Sequence, residues 1–194
     1  METTAAARLP LLLAAFRRRY PEVDLRLQAA PTQQLLQDVL HHRIDLALVA
    51  APVHHPELAV AVAVIEELIL VSAADHPTVA DPRQLDTVSI CTFREGCSYR
   101  QRLIDWLRDA GITISRINEF GAFEAIIGCV AAGMGFSLLP RSVLDSHLVA
   151  GTIRAHPTPP AVARTETLLV WRHDRSRHPA RDAFTALLRE KLHG

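Results

Sequence analysis

Short, almost unbroken apolar runs, each flanked by segments of helical periodicity, constrain the fold of this chain more than any other feature. Asp45–Ala50 and Phe136–Leu139 are two such runs. Strands that are apolar on both faces are typical of a sheet covered by helices on both sides. Elsewhere, as in Ala5–Tyr20, apolar residues recur at the spacing of one helix face. The alternation predicts an α/β fold with a parallel sheet.

Periodicity, caps and breakers assign the individual elements. The predicted helices are Ala5–Tyr20, a helix opening at Pro31-Thr32 with Thr32 as its N-cap, Ser98–Ala110, Phe123–Val130 and a closing helix around Ala180–Leu188. The predicted strands are Val23–Leu27, Asp45–Ala50, Leu58–Ile65, Leu68–Ser72, Val88–Thr92, Ile112–Ile117, Phe136–Leu139 and Thr167–Trp171. The polar, proline-containing stretch Ala73–Pro82 separates two α/β units.

Charge and cysteine content exclude several classes of protein. Lys+Arg and Asp+Glu both number 21, so the chain lacks the basic excess of a domain that grips DNA phosphates. The basic run Arg17–Arg19 closes a predicted helix, where cations complement the helix dipole. No stretch reaches the roughly 20 apolar residues of a membrane span. Three cysteines make an odd number, which argues against a disulfide framework and indicates the reducing cytoplasm.

The sequence gives no support for catalysis or metal binding. Adjacent histidines, as in His41-His42 and His54-His55, point apart on regular elements, and no Cys-x-x-Cys or His-Glu-x-x-His occurs. Gly-x-Ser-x-Gly and phosphate-binding loops are absent too. We therefore expect no enzyme, no metal and no cofactor. Cys91 and Cys97 remain open: a thiol at a helix start can be reactive, although an inert structural role is favoured.

Four stretches, in order and at fitting intervals, resemble the effector-binding domain of LysR-type transcription regulators. They are Leu11–Leu25, His42–Leu48, Leu68–Ser72 with His76-Pro77, and Val130–Pro140. The last is the most specific, because Gly133 and Gly135 let a helix end and turn within a few residues into a strand. The resemblance implies a domain that binds a small effector and so controls DNA binding by the full-length regulator. A solute-binding protein of a transporter, with the same fold, is the alternative.

The resemblance also implies the architecture: two Rossmann-like subdomains joined by two crossover strands, with a ligand cleft between them. Subdomain one would hold residues 1–70 and 165–194, and subdomain two residues 71–164. The family's domain normally starts with a strand just before the first helix and follows a winged helix-turn-helix. Neither is found here, so we expect an excerpt of a longer regulator that contacts DNA only through the missing domain.

The same resemblance implies a homodimer or tetramer of the full-length protein. The helices Gln33–His41 and Phe123–Ala132 are the candidates for a symmetric interface, because they carry small and apolar positions.

Candidate ligand-binding residues follow from a general rule for open α/β sheets, which bind ligands beyond the carboxyl ends of their strands. Helix N-termini there offer unpaired N–H groups and positive potential. These features favour a small carboxylate, aromatic or aliphatic, as the effector. The predicted contacts are Thr3, Thr4, Thr32, Thr92, Phe93, Arg94, Cys97, Ser98, Gly121 and Phe123. For Thr32 and Ser98, simple helix capping is an equally good explanation.

Overall fold

The computed structural model describes residues 9–173 and 178–193. The chain divides into two compact units, Met1–Ile65 with Glu166–Gly194 (unit 1) and Glu66–Thr165 (unit 2). It passes from one unit to the other at Ile65/Glu66 and again at Thr165/Glu166. Each unit contains both helices and strands, so the α/β prediction is confirmed.

Unit 1 gathers elements from both ends of the chain. They are α1 (Leu9–Arg19), α2 (Thr32–Leu40), β1 (Ala47–Ala50), the first half of β2 (Leu58–Ala73), most of β7 (Arg164–Arg172) and α7 (Pro179–His193). Strand β1 pairs antiparallel with β7. The apolar faces of α1 and α7 meet where the Phe16 and Phe184 rings lie 5.2 Å apart, edge to face. Phe16 is fully buried.

Unit 2 is the continuous stretch between the crossings. It contains the second half of β2, β3 (Thr87–Phe93), α3 (Ser98–Asp109), β4 (Thr113–Phe120), α4 (Phe123–Ala131), β5 (Ser137–Pro140), α5 (Arg141–Val149), β6 (Ile153–His156) and the short α6 (Pro160–Ala163). Strands β3 and β4 are parallel. Strand β2 pairs antiparallel with β5 and with β6.

Three predictions from the sequence need correction. The parallel sheet is wrong for three strand pairs, since β1–β7, β2–β5 and β2–β6 are antiparallel, whereas β3 and β4 are parallel. Val23–Leu27 is not a strand, because no described strand pairs with it. The two strands expected within Leu58–Ser72 are one, since Glu66 and Glu67 do not interrupt the ladder. Helix α5 and strand β6 were not predicted.

Gly135 holds the closest backbone approach in unit 2. Its φ is +149°, and a Cβ at this position would lie 2.3 Å from the carbonyl oxygen of Ser89. The approach lets Phe136 N–H donate to Ser89 C=O at 2.9 Å and Cys91 N–H donate to Phe136 C=O at 2.8 Å. Only glycine combines this φ with this contact, so Gly135 sets how β5 joins β3.

A buried, neutral histidine on β6 links separate segments of unit 2 by hydrogen bonds. His156 is 3% exposed, and its Nδ1 accepts a hydrogen bond from Val79 N–H at 3.1 Å. Its proton is therefore on Nε2, which lies 2.7 Å from Ser72 Oγ, and Ser72 donates in turn to Ala73 C=O. Burial first, and then the neighbouring charges of His76 and Arg154, lower the pKa of His156 to about 4.

Gly135→Ala is expected to lower the free energy of unfolding by at least about 2 kcal/mol, because Cβ would overlap the Ser89 carbonyl and the φ would be strained. Urea unfolding measures the change. Met134→Ala is the control, since Met134 is 45% exposed and its side chain can be removed at little cost. Equal stability of the two variants would contradict the close contact.

The stability of the protein should fall as the pH drops from about 6.5 to about 4. In that window His156 binds a proton in the unfolded chain but not in the folded chain. Folding is therefore penalised by up to about 1.4 kcal/mol per pH unit. Above the unfolded pKa both states are neutral and the penalty vanishes. Urea unfolding at several pH values measures this slope. His156→Gln should flatten it, and an unchanged slope would show that His156 is not its origin.

Candidate functional site

The carboxyl ends of β3 and β4 bring several predicted residues to one edge of unit 2. The strands are parallel and in register at their ends, with Thr92 opposite Glu119 and Phe93 opposite Phe120. The segments that follow them, 94–98 and 121–123, lead into α3 and α4. We call this edge, residues 92–100 and 119–123, the strand-end site.

Two arginines give the strand-end site its charge. The exposed Arg94 lies against Gly121, where a Cβ would be 3.8 Å from Arg94 Nη2. Arg100, on the first turn of α3, donates from Nη2 to Glu119 Oε1 at 2.9 Å. The Arg100 side chain is 15% exposed, and its Nη1 is buried without a hydrogen-bond partner among the described residues. Arg94 forms no ion pair with any described residue, so it is the arginine of this site that faces solvent without a counter-charge.

Both helix starts at the strand-end site lack a side-chain cap. Cys97 occupies the N-cap of α3 and Ala122 that of α4, and neither side chain accepts a hydrogen bond from the first turn. The first amides of a helix have no partner within the helix and carry positive partial charge. An anion placed beyond these two helix starts is therefore stabilised by both, together with Arg94.

The structure assigns different environments to the other predicted contacts. Thr92 is 3% exposed and lies inside the unit. Phe93 and Phe123 are half-buried and pack against the apolar cluster around Ile126 and Leu139, so only part of each ring reaches the site. Ser98 is the first residue of α3, one position after the cap.

The remaining candidate that the structure describes, Thr32, belongs to unit 1. Thr32 is the first residue of α2, and Pro31 holds the N-cap position, so the prediction that Thr32 caps the helix is wrong. Pro31 has φ −58° and ψ 152°, and this non-helical ψ makes Pro31 the N-cap and Thr32 the first helical residue. Thr3 and Thr4 lie outside the described residues.

Glu119 is the residue that sequence reasoning missed. It is the second-last residue of β4, lies opposite Thr92 and pairs with Arg100. A carboxylate near the end of a strand is a weak signal when the partner arginine is 19 positions away, and only the parallel register brings them together.

The cysteines differ in their environments, although none of the three is in a disulfide. Cys91 is fully buried on β3, and burial raises the pKa of its thiol, with a smaller contribution from Cys129 on α4. Asn118 Nδ2 lies 3.9 Å from Cys91 Sγ and partly offsets the effect. A protonated, buried thiol reacts slowly with peroxide, so Cys91 is suited to packing.

A second polar cluster, in unit 1, is structural. Asp38 on α2 is 5% exposed and accepts hydrogen bonds from Gln28, Gln34 and Arg43 at 2.8–3.0 Å. Burial alone would raise the pKa of Asp38, but the hydrogen bonds from Arg43 and the two glutamines outweigh it and lower the pKa. The carboxylate thus links the segments on either side of α2, and its oxygens accept hydrogen bonds from the protein rather than from a ligand.

Two further findings apply to residues 9–173 and 178–193. No group of three or more His, Cys, Asp and Glu side chains could hold a metal ion there. No helix in the same residues is both long enough and apolar enough to cross a membrane.

Comparison with known families gives one match over almost the whole chain. The family model described as LysR substrate binding domain matches residues 1–193. The HTH-type transcriptional regulator GltR of Bacillus subtilis is 42% identical over 190 residues, which are 98% of this chain and 64% of that protein. The uncharacterized HTH-type transcriptional regulator YusT of the same organism is 45% identical over 173 residues, 89% of this chain and 58% of its own length. The chain thus spans about three fifths of these relatives.

Solved structures share the fold at low identity. The regulatory domain of CcmR from Synechocystis PCC6803, in complex with 2-PG, superposes with a TM-score of 0.85 at 20% identity and covers 98% of this chain and 93% of its own. The effector-binding domain of QuiR in complex with shikimate gives a TM-score of 0.81 at 18% identity, with the same coverage.

Proposed function

The chain belongs to the LysR substrate-binding domain family, and from this premise we propose that it senses a small effector for a bacterial transcription regulator. The effector binds at the strand-end site of unit 2. Binding controls the DNA affinity of a longer, cytoplasmic protein, whose DNA-binding domain lies outside residues 1–194.

One observation supports the position of the site more than any other. Arg94, exposed and without a counter-charge, lies beside Gly121 at the point where α3 and α4 both begin without a side-chain cap. Three sources of positive potential therefore meet at one edge: a guanidinium and two helix starts. Arg100 does not compete for the same anion, because Glu119 already neutralises it.

The chemistry of this edge favours a small carboxylate. A carboxylate accepts two parallel hydrogen bonds from a guanidinium and further bonds from free amides. The half-buried rings of Phe93 and Phe123 offer an apolar surface beside it, as most small-molecule sites require. The effector is accordingly an anion with a compact aromatic or aliphatic body.

The sensing function is favoured over two alternatives on the same fold. A transporter's solute-binding protein and an enzyme are the two alternatives, but the relatives that the chain matches over most of its length are named as transcription regulators. The residues of the strand-end site, 92–100 and 119–123, also include no histidine that could act as a general base.

A thermal-shift screen tests the proposed class of effector. The probes are benzoate, succinate and shikimate, the last being the ligand named for one structural neighbour, with benzamide and succinamide as neutral counterparts. At least one carboxylate should raise the melting temperature in a saturable way, since a ligand specific for the folded state stabilises it. The neutral amide should not.

Arg94→Gln should weaken the carboxylate that binds by about tenfold or more, because it removes a charge-assisted pair worth roughly 1.4 kcal/mol. Arg116→Gln, an exposed arginine in the middle of β4, is the control and should leave affinity unchanged. Equal binding of acid and amide, or an unaffected Arg94→Gln variant, would contradict the proposal.

We propose in addition that the protein forms a homodimer through α4. One exposed face of α4, continued into its C-cap, carries the small residues Ala125, Gly128 and Ala132, which allows a second helix to approach closely. Gly128→Arg should shift the chain to monomer in sedimentation velocity, because a Cβ at Gly128 points into open space and the long side chain would occupy the interface. Val149→Arg, at a position 90% exposed, is the control. A dimer that persists in Gly128→Arg would exclude α4 from the interface.

A further inference from the structure

Unit 2 contains a cavity of about 260 Å³ beside the strand pair β2–β6. Its walls come from residues 67–69 of β2, from the first residue of α5, from residues 155–158 at and after the end of β6, and from the last residue of α6. The cavity shares no residue with the strand-end site. We call it the β2–β6 cavity.

The inner wall of the β2–β6 cavity offers apolar surface, and its side-chain donors are already in use. Thr158 Oγ1 accepts a hydrogen bond from Leu70 N–H at 3.0 Å and donates to His156 C=O at 3.2 Å. Both ring nitrogens of His156 are occupied too, by Val79 N–H and Ser72 Oγ. The rest of the inner wall is apolar: Leu68, Ile69, Ala155, Pro157 and Ala163. The part of a ligand that enters this wall must therefore be apolar, because a polar group there would lose its hydrogen bonds to water.

Glu67 and Arg141 form the charged rim of the β2–β6 cavity. Arg141 Nε donates to Glu67 Oε2 at 2.7 Å, and the side chains are 47% and 57% exposed, respectively. This is the single hydrogen bond that joins either side chain to the described residues, so Nη1 and Nη2 of Arg141 and Oε1 of Glu67 have no partner there. The rim thus presents two cationic donors and one anionic acceptor side by side to solvent.

A free α-amino acid matches this combination of wall and rim. Its carboxylate can accept a pair of hydrogen bonds from Nη1 and Nη2 of Arg141, and its ammonium group can donate to Oε1 of Glu67. The two charges of an α-amino acid are separated by a single carbon atom, which suits a guanidinium and a carboxylate that are already in contact. A carboxylic acid without the ammonium group would place its charge near that of Glu67 with nothing to offset the repulsion.

Two further features set the orientation and the size of such a ligand. Helix α5 begins at Arg141, and the Pro140 N-cap offers no side chain that accepts a hydrogen bond from the first turn. The first amides of a helix carry positive partial charge, so they favour the carboxylate at the Arg141 end of the rim. The volume of about 260 Å³ is below the roughly 300 Å³ at which sites for drug-sized ligands begin, so the side chain of the amino acid is small.

We propose that the β2–β6 cavity binds a free α-amino acid with a small aliphatic side chain, such as valine or leucine. The carboxylate pairs with Arg141, the ammonium group pairs with Glu67, and the side chain lies against the apolar inner wall. The site is separate from the strand-end site and does not depend on the effector proposed there. Glu67 and Ala163 lie within two residues of the points where the chain passes into unit 1, so the bound amino acid contacts both connecting segments.

Titration calorimetry of the 194-residue chain with L-valine and L-leucine tests the class of ligand. At least one of them should bind saturably. The controls are 3-methylbutanoate, which is valine without its ammonium group, and L-valinamide, which lacks the carboxylate. Each should bind at least about tenfold more weakly than valine, because each loses one charge-assisted pair. Hydrogen exchange should slow at residues 67–69 and 155–163. Lack of saturable binding of both amino acids up to about 10 mM, or equal binding of valine and 3-methylbutanoate, overturns the proposal.

Matched variants localise the binding. Glu67→Gln and Arg141→Gln should each weaken the amino acid at least about tenfold. Arg83→Gln is the control, because Arg83 forms an exposed ion pair with Asp81 in the same unit but does not line the cavity, and affinity should stay within about twofold. Circular dichroism checks that the variants fold, and the comparison of valine with its two analogues stands independently of them. If Arg94→Gln removes valine binding and the rim variants do not, the amino acid occupies the strand-end site and this proposal is wrong.

Discussion

Unit 2 depends on one backbone contact, the approach of Gly135 to Ser89. Two hydrogen bonds through Phe136 attach the start of β5 to the middle of β3 at this point. Strand β5 continues along β2, and β3 continues to β4 on its other side, so the contact connects every ladder in the unit. The sharp turn after α4 brings Gly135 against Ser89, and a side chain at position 135 would prevent this contact.

The strand-end site follows from that arrangement. Because β4 lies beside β3 in parallel, both strands end at one edge and both following helices begin there. Positive potential accumulates from the peptide dipoles of α3 and α4 and from Arg94, while Glu119 balances Arg100. The two arginines, a few residues apart in sequence, thus have different environments. Arg100 is paired with a carboxylate, and Arg94 faces solvent.

Patterns in short stretches of the sequence predicted most of the helices and strands, and the predictions that were missed or wrong have physical causes. Leu35 and Val39 mark one face of α2, and Leu103 and Leu107 mark one face of α3, so both helices could be predicted directly. The stretch after Gly111 was predicted as a strand and contains β4. Helix α5 was missed because only Leu144 of its nine residues is fully buried, and Val143 and Leu148, which are partly buried, extend it to only a short apolar stripe. The strand expected at Val23–Leu27 needs a neighbour, and pairing is not a local property. At the site, Arg94 and Gly121 could be predicted from strand ends, whereas Glu119 depends on the β3/β4 register.

The division of unit 1 between the two ends of the chain bears on how the protein is made. A ribosome releases residues 66–165 as one uninterrupted stretch, and their contacts can form as soon as that stretch has emerged. The partners of α1 arrive last: Phe184, Leu187 and Glu190 belong to α7. Until α7 has been synthesised, the apolar side chains of Leu12 and Phe16 cannot pack against it. During synthesis α1 therefore emerges well before the helix that covers its apolar face.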